Sequence, residues 1–477
     1  MKQLRTSLYS LLAAVLLFTA CSKDKGNYSY NLPEEPVITN LDTVYNVFVG
    51  DSLVIKPVIT TKTKANFTLA WKISIPAELR QLDFQGPALR TIFGLGPERY
   101  PARLTITNTD NGMKYFRDFV VSGKTAFSTG TVVLSSENGK TQLSFIKPDG
   151  TVQARVYEAI NGEALPADPI QLIGLVRPYF PVVTFRSYWV LGKSGVHTGV
   201  QMDANTFKKK AYLADNYFDA PDGVLLPSKM FTSSAGILSG VINGVLQSGT
   251  TSTWSEAPTY GMFGLGAQGD YVLSPEVMFD FNGGGSAYVG FDKNRKQFVR
   301  FNTYGDAIYF GTAYGVDGSA FNPMSVGMDL EHLQSINGKK GYAYCRASDN
   351  TLYELSFEAQ FSTTMLFKPL TKRVFTQSSL INADTKWAST ANEIIYFTAG
   401  DKIYRYNPLN QDFRTLTTDF GGKPVTMIKV IDSDNTLLAG TEGSLYYLDI
   451  SAGKFGDLKN KVDGLPGKLI DVEIRYQ

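Results

Sequence analysis

Cysteine, histidine and long apolar runs are all scarce in this chain of 477 residues. Its two cysteines, Cys21 and Cys345, cannot build a disulfide framework or a Cys-rich structural zinc site. Cys345 lies in "GYAYCRAS" between strand-like residues, which predicts a buried, inert thiol. Only two histidines exist, His197 and His332, and neither belongs to a metal-spaced pair. Zinc hydrolysis or Ser-His-Asp chemistry would have to use one of them. "KSGVHTGVQ" around His197 predicts a strand or loop rim, and "MDLEHLQSING" around His332 a short helical turn. Both histidines therefore read as structural, and no metal or cofactor is predicted. A formal net charge of +2 argues against a polybasic nucleic-acid surface. After the first twenty residues no apolar run reaches the roughly 20 residues that span a bilayer.

The N-terminus carries an address. Lys2 and Arg5 precede a short apolar core, Leu8 to Phe18, in the pattern of a secretory signal over residues 1–20. Phe18-Thr19-Ala20-Cys21 closes it and resembles a bacterial lipobox, with Phe18 in the place of the usual leucine. The resemblance implies cleavage before Cys21, lipid on its sulfur and acylation of its amine. Two or more acyl chains anchor a protein stably. "SKDKGNYSYNLPEEP" then reads as a polar tether, so residues 21–35 are assigned to the lipidated cysteine and its linker. Asp24, soon after the cysteine, resembles the acidic export signal of Bacteroides-like lipoproteins. That implies an outer-membrane protein, lipid-anchored and facing the cell exterior.

Against these scarcities stand 26 Tyr, 30 Phe and 44 Gly, a mixture that suits short strands and tight turns. The reading is all-β. Residues 36–123 form a first unit: "VITNLDTVYNVFVGDSLVIKPVIT" alternates around a Gly50-Asp51 turn, and "FTLAWKISI" places Trp71 mid-strand. In "NTDNGMKYFRDFVV", Asp110-Asn111-Gly112 marks a hairpin. Together these predict an immunoglobulin-like sandwich without the cysteine pair of antibody domains. "GNYSY", "VFVGDSLVIKPVI" and that hairpin are similar to the PKD-like (polycystic-kidney-disease-like) domains of Bacteroides-type lipoproteins. The resemblance implies spacing or contact with neighbours.

Residues 127–477 repeat loosely. Strand pairs start near residues 131, 188, 236, 286, 341, 393 and 436, a spacing of roughly 50 that signals β-propeller blades. The count is seven, with six or eight also compatible because the third unit is degenerate. "SSENGKTQ" (Ser135 to Gln142) resembles the Asp-box of sialidase-like propellers, a structural hairpin turn. Shared hairpin grammar predicts that Phe298, Phe413 and Phe455 pack between sheets.

Candidate chemistry is sparse. "DNYFDAPDG" gathers three aspartates but lacks the alternation of a calcium loop. "FNGGGSAYVGFD" lacks the strand–GxGxxG–helix context of a dinucleotide site. Aromatic loops are the better candidates: "RPYFPVVTFRSYW", "TWSEAPTYGMFG" and "TAYGVDGSAFN". From them Trp254, Tyr260, Tyr188, Trp189 and Tyr314 are the ligand-binding candidates, with Trp254 preferred because Thr and Ser surround it. Flat aromatics at a propeller rim stack on sugars or clamp peptide side chains. No catalytic residue is identified. By family analogy the protein is a surface binding lipoprotein, accessory to a Sus-like (starch-utilisation-type) uptake system. It would capture a glycan or a peptide or protein ligand beside a TonB-dependent transporter and that transporter's binding lipoprotein. Two other readings stay open at this point: a propeller hydrolase or lyase acting on polysaccharide, and an adhesin or structural surface scaffold.

Overall fold

The computed structural model describes residues 34–176, 185–233, 235–253, 257–280, 286–304, 306–361 and 364–476. The expected signal, Cys21 and nearly all of the tether lie outside them. The chain forms two compact units whose main boundary falls between Ser122 and Gly123.

In the N-terminal unit, alternation along the strands decides what goes inside. Phe67–Ile75 buries Leu69, Trp71, Ile73 and Ile75 and turns Thr68 and Lys72 to solvent. The Trp71 indole N–H donates to the Gly86 carbonyl at 3.0 Å, and Phe119 meets its ring edge-on at 6.1 Å. That strand belongs to a five-stranded sheet in the order Val44–Phe48, Lys114–Lys124, Arg99–Asn108, Phe67–Ile75, Arg80–Gln85, whose last four strands are antiparallel. Ser52–Ile55 pairs with Leu89–Ile92 and buries Leu53, Ile55 and Leu89, while Val37–Thr39 pairs with Val58–Thr60. Gly112, at φ +75, turns the hairpin between Arg99–Asn108 and Lys114–Lys124.

The C-terminal unit is a β-propeller. Among the described residues its strands form six hydrogen-bonded sheets; the six-stranded sheet that holds both ends of the unit is divided here into sets 1 and 7, and the sets are numbered in chain order. Set 1 holds Gly130–Glu137, Lys140–Ile146 and Val152–Gln153; set 2 runs from Ala167–Val176 to Lys209–Tyr212. Set 3 starts at Pro227–Thr232, set 4 at Met278–Asp280, set 5 at Asp329–Ile336, set 6 at Trp387–Ser389 and set 7 at Met427–Ile431. Hairpins within them use the turn chemistry expected of Asn-Gly. Asn138-Gly139, Asn243-Gly244 and Asn337-Gly338 all have positive φ at both residues, as a two-residue turn matched to strand twist requires.

Strands in the middle of each set bury both faces, so consecutive residues face opposite neighbours. Tyr188 and Val190 pack into a cluster with Leu134 and Phe145 of set 1, whereas Trp189 and Leu191 pack with Met230 and Leu238 of set 3. The pattern continues around the ring: Val241 with Phe301, Phe298 with Phe357, Tyr344 with Phe397, and Tyr396 with Leu437 each join one set to the next. A last cluster joins Met427 and Leu438 of set 7 to Val133 and Ile146 of set 1. Cys345 lies inside the cluster between sets 4 and 5, where burial pushes its thiol up to about 12. It is inert at neutral pH.

Set 1 is completed by the end of the chain. Residues 468–475, the last part of Asp457–Arg475, pair antiparallel with Gly130–Glu137, while the first part of the same strand pairs with Thr436–Asp449 of set 7. Side chains crowd the backbone at this seam. A Cβ on Gly440 would stand 2.6 Å from Met427 and 2.7 Å from Leu469, so only glycine fits there. Buried Arg475 donates to the carbonyls of Phe127 and Ala204 and, at 2.6 Å, to the side-chain oxygen of Asn205. Lys429 of set 7 reaches Glu473 at 2.9 Å and Asp471 at 3.5 Å. Burial alone would lower its ammonium, but the two carboxylates outweigh that and hold it above its ordinary value.

Two local expectations are corrected. The segment around His332 is strand, Asp329–Ile336, because its Leu333 and Ile336 must enter the clusters on either side of set 5. Phe298 is fully buried and Phe413 packs partly against the cluster between sets 5 and 6, but Phe455 is exposed, with the Arg414 guanidinium 5.2 Å from its ring centre.

Truncation after Gly467 should open the ring, leaving set 1 without its innermost strand and the apolar faces of sets 1 and 7 in water. The expected result is loss of the cooperative unfolding transition. Arg475→Ala, which strands two buried carbonyls, should cost on the order of 3 kcal/mol by urea titration. An unchanged midpoint in both variants would contradict closure by the C-terminal strand.

Candidate functional site

Seven strand sets around an axis leave space where their first strands meet, and here that space is a cavity of about 680 Å³. Sets 2 to 5 contribute lining at or just ahead of their first strands: Gln171 from set 2, Lys229 from set 3, Glu276 just ahead of set 4, and Glu331 and His332 from set 5. Trp387 of set 6, Ile428 of set 7 and Asp471 of the closing strand complete the circle. Such volume lies within the range of small-molecule sites.

His332 is held by its surroundings. Its ring stacks on Trp387 at 4.6 Å with an interplanar angle of 8°, and Tyr344 covers Trp387 from 4.6 Å. The ring has an acceptor beside each nitrogen: the Gln334 side-chain oxygen lies 3.1 Å from Nε2, and Glu276 Oε1 lies 3.6 Å from Nδ1. Gln334 is oriented for this because its amide nitrogen donates to Ser389 Oγ at 2.8 Å. Burial would raise the Glu276 carboxyl, but the His332 ring and the Lys229 charge outweigh it and hold it below its ordinary value. That direction is the opposite of what a general acid needs.

The other carboxylates of the cavity are also partnered. Glu331 forms a two-point ion pair with Arg346. Asp471 faces Lys429 and accepts the Leu172 backbone N–H at 3.1 Å. The cavity lysines differ. Lys193, Lys229 and Lys386 line it, and none makes an ion pair among the described residues. Among the described residues, too, no group of three His, Cys, Asp or Glu side chains could hold a metal ion.

Most of the aromatic candidates read from sequence lie elsewhere. Tyr188 and Trp189 are fully buried on opposite faces of one strand of set 2, and Tyr314 is buried in the cluster between sets 4 and 5. Their rings fill space between sets, so none of the three offers a face to a ligand, a correction to the expectation. The Tyr314 hydroxyl donates to the Phe298 carbonyl at 2.8 Å. Tyr260 is half-buried, its hydroxyl donating to the Ala235 carbonyl at 2.8 Å. Trp254 lies outside the described residues, as do residues 177–184 of the first aromatic loop and the glycines at 283–285. His197 is exposed in a turn and stacks on Tyr212 at 3.5 Å. Asp215 accepts the Tyr212 backbone N–H at 2.8 Å.

Sequence reading missed Glu276, His332, Trp387 and the three lysines as a group. The usable signal was positional: in a ring of repeats, the opening residues of each first strand meet at the axis.

The depressed Glu276 carboxyl has a consequence for stability. Its folded value lies below the unfolded one, so its contribution is present above the ordinary carboxylate range and disappears as pH falls through the folded value. Glu276→Gln should therefore be less stable than the parent at pH 7, with the gap closing in acid. Urea titrations between pH 7 and pH 3 measure this, and a constant gap would remove the His332–Glu276 pair as its source.

Residues 21–169 match the PKD-like family, a span longer than the expected sandwich and reaching into the first strand of set 2. No curated protein matches. Among solved structures the chain is similar to a quinonprotein alcohol dehydrogenase-like protein from Bacteroides thetaiotaomicron, at 12% identity and TM-score 0.39, over 93% of this chain and 100% of that one. It is also similar to the dihydro-heme d1 dehydrogenase NirN, at 11% identity and TM-score 0.41, over 78% of this chain and 73% of that one. A functionally unknown protein from Desulfotomaculum acetoxidans matches at 12% identity and TM-score 0.45, over 73% of this chain and 99% of that one. The propeller architecture rests on the chain's own sheets and clusters and not on these distant likenesses. What the family match establishes is a PKD-like region at residues 21–169, ahead of and overlapping the start of the propeller.

Proposed function

We propose that this chain is a surface binding lipoprotein, lipid-anchored at Cys21 to the outer membrane, whose propeller captures a glycan or peptide ligand. The observation that carries the reading is the open axial cavity, which gathers polar side chains from several strand sets around Trp387. Cores exclude such groups unless they are paired, so a cavity lined by lysines that make no ion pair among the described residues is suited to a ligand. The PKD-like region would hold the propeller away from the membrane. The accessory role beside a TonB-dependent transporter rests on the lipobox resemblance and the PKD-like match, because a fold alone never fixes function. Binding is favoured over hydrolysis because the His332 ring and the Lys229 charge hold the Glu276 carboxyl below its ordinary value, against a general-acid role.

Two measurements test this. Cys21→Ala should shift the protein from the detergent phase to the aqueous phase, and unchanged partitioning would remove the anchor. Ligand entering the cavity should change tryptophan emission in the parent but much less in Trp387→Phe, screened against glycan and peptide panels. An equal change in both proteins would move the site away from the cavity.

A further inference from the structure

Charge in the axial cavity is unevenly satisfied. Its three lining carboxylates each have a close partner outside the lysines: Glu276 faces the His332 ring, Glu331 pairs with Arg346, and Asp471 with Lys429. Its three lining lysines have no carboxylate within ion-pair distance among the described residues. Lys229 is near enough to Glu276 to lower that carboxyl, yet His332 occupies the closer position. The lysines arrive from separate places, Lys193 from the second strand of set 2, Lys229 from the first strand of set 3 and Lys386 from immediately ahead of Trp387 in set 6. No shared local feature of sequence put them together; the ring did.

Three ammonium groups around one opening repel one another. Lys193 and Lys229 are exposed and Lys386 is half-buried, so their charges are open to an anion that enters the cavity. Neutral polar side chains beside them, Gln171, Ser228 and Asn382, supply hydrogen-bonding groups for the remainder of a ligand.

We infer that the axial cavity selects a carboxylate-bearing ligand of a few sugar or amino-acid units, with Lys193, Lys229 and Lys386 receiving its negative charge. This rests on the cavity being the ligand site. Lysine suits the task as a mobile point charge with three donors, able to follow carboxylates on differently shaped ligands.

The test is calorimetric titration of the whole protein with trigalacturonate and triglutamate, against maltotriose and trialanine as uncharged counterparts. Binding of either anion, weakening as salt rises from 20 to 300 mM, is the expected result. Lys229→Gln and Lys386→Gln should each reduce affinity roughly tenfold, whereas Lys229→Arg should retain most of it. Lys208→Gln, at an exposed position away from the cavity, should leave it unchanged. Which anion binds decides between a uronic-acid saccharide and an acidic peptide. Binding of an uncharged trimer with equal affinity, perturbed by Trp387→Phe but not by the lysine variants, would overturn the charge assignment and keep the cavity as the site. Failure of all four ligands to bind, with thermal melts confirming folded protein, would overturn both.

Discussion

Pairing of residues 468–475 with Gly130–Glu137 is the contact on which the C-terminal unit depends. Every strand set buries apolar side chains on both faces, so an open array always leaves two faces wet, one at each end. Joining the ends removes both at once, at about 25 cal/mol for each Å² of apolar surface taken from water. The seam is built accordingly. Met427, Leu438, Val133 and Val472 cover it with hydrocarbon, while Arg475 and Lys429 tie the closing strand to set 2 and set 7 through named oxygens. A buried charge such as Arg475 is costly to leave unpaired, so its contacts favour one register of closure.

Closure also creates the candidate site. The side chains that fill the gaps between sets leave the axis open as the cavity of about 680 Å³. Polar and charged residues that would be penalised elsewhere are tolerated there. The cavity, with its stacked His332 and Trp387 and its unevenly paired charges, follows from the same geometry that makes the core continuous.

Much of the fold was legible in the sequence. Asn138-Gly139 and the alternating runs flanking it announce a hairpin, and the near-regular spacing of such hairpins announces a propeller, because both signals are local and set by backbone sterics and pleat. Trp71 could be placed mid-strand for the same reason. Aromatic function was not legible. Tyr188 and Trp189 look like neighbours in an aromatic loop, yet strand geometry sends them to opposite faces and into two different clusters. His332 was read as helical because four residues of local pattern cannot register the pairing of Asp329–Ile336 with Lys340–Arg346.

What the sequence by itself determined was the all-β class, the order of sandwich and propeller, and the positions of most turns, because these follow from period-two alternation and from residues that accept positive φ. What only the tertiary structure decided was which side chains share the axis. Lys193, Lys229 and Lys386 are separated by up to nearly two hundred positions and sit in unrelated local contexts. Their meeting depends on ring closure, a long-range event whose partners, residues 130–136 and 468–475, lie at opposite ends of the propeller sequence.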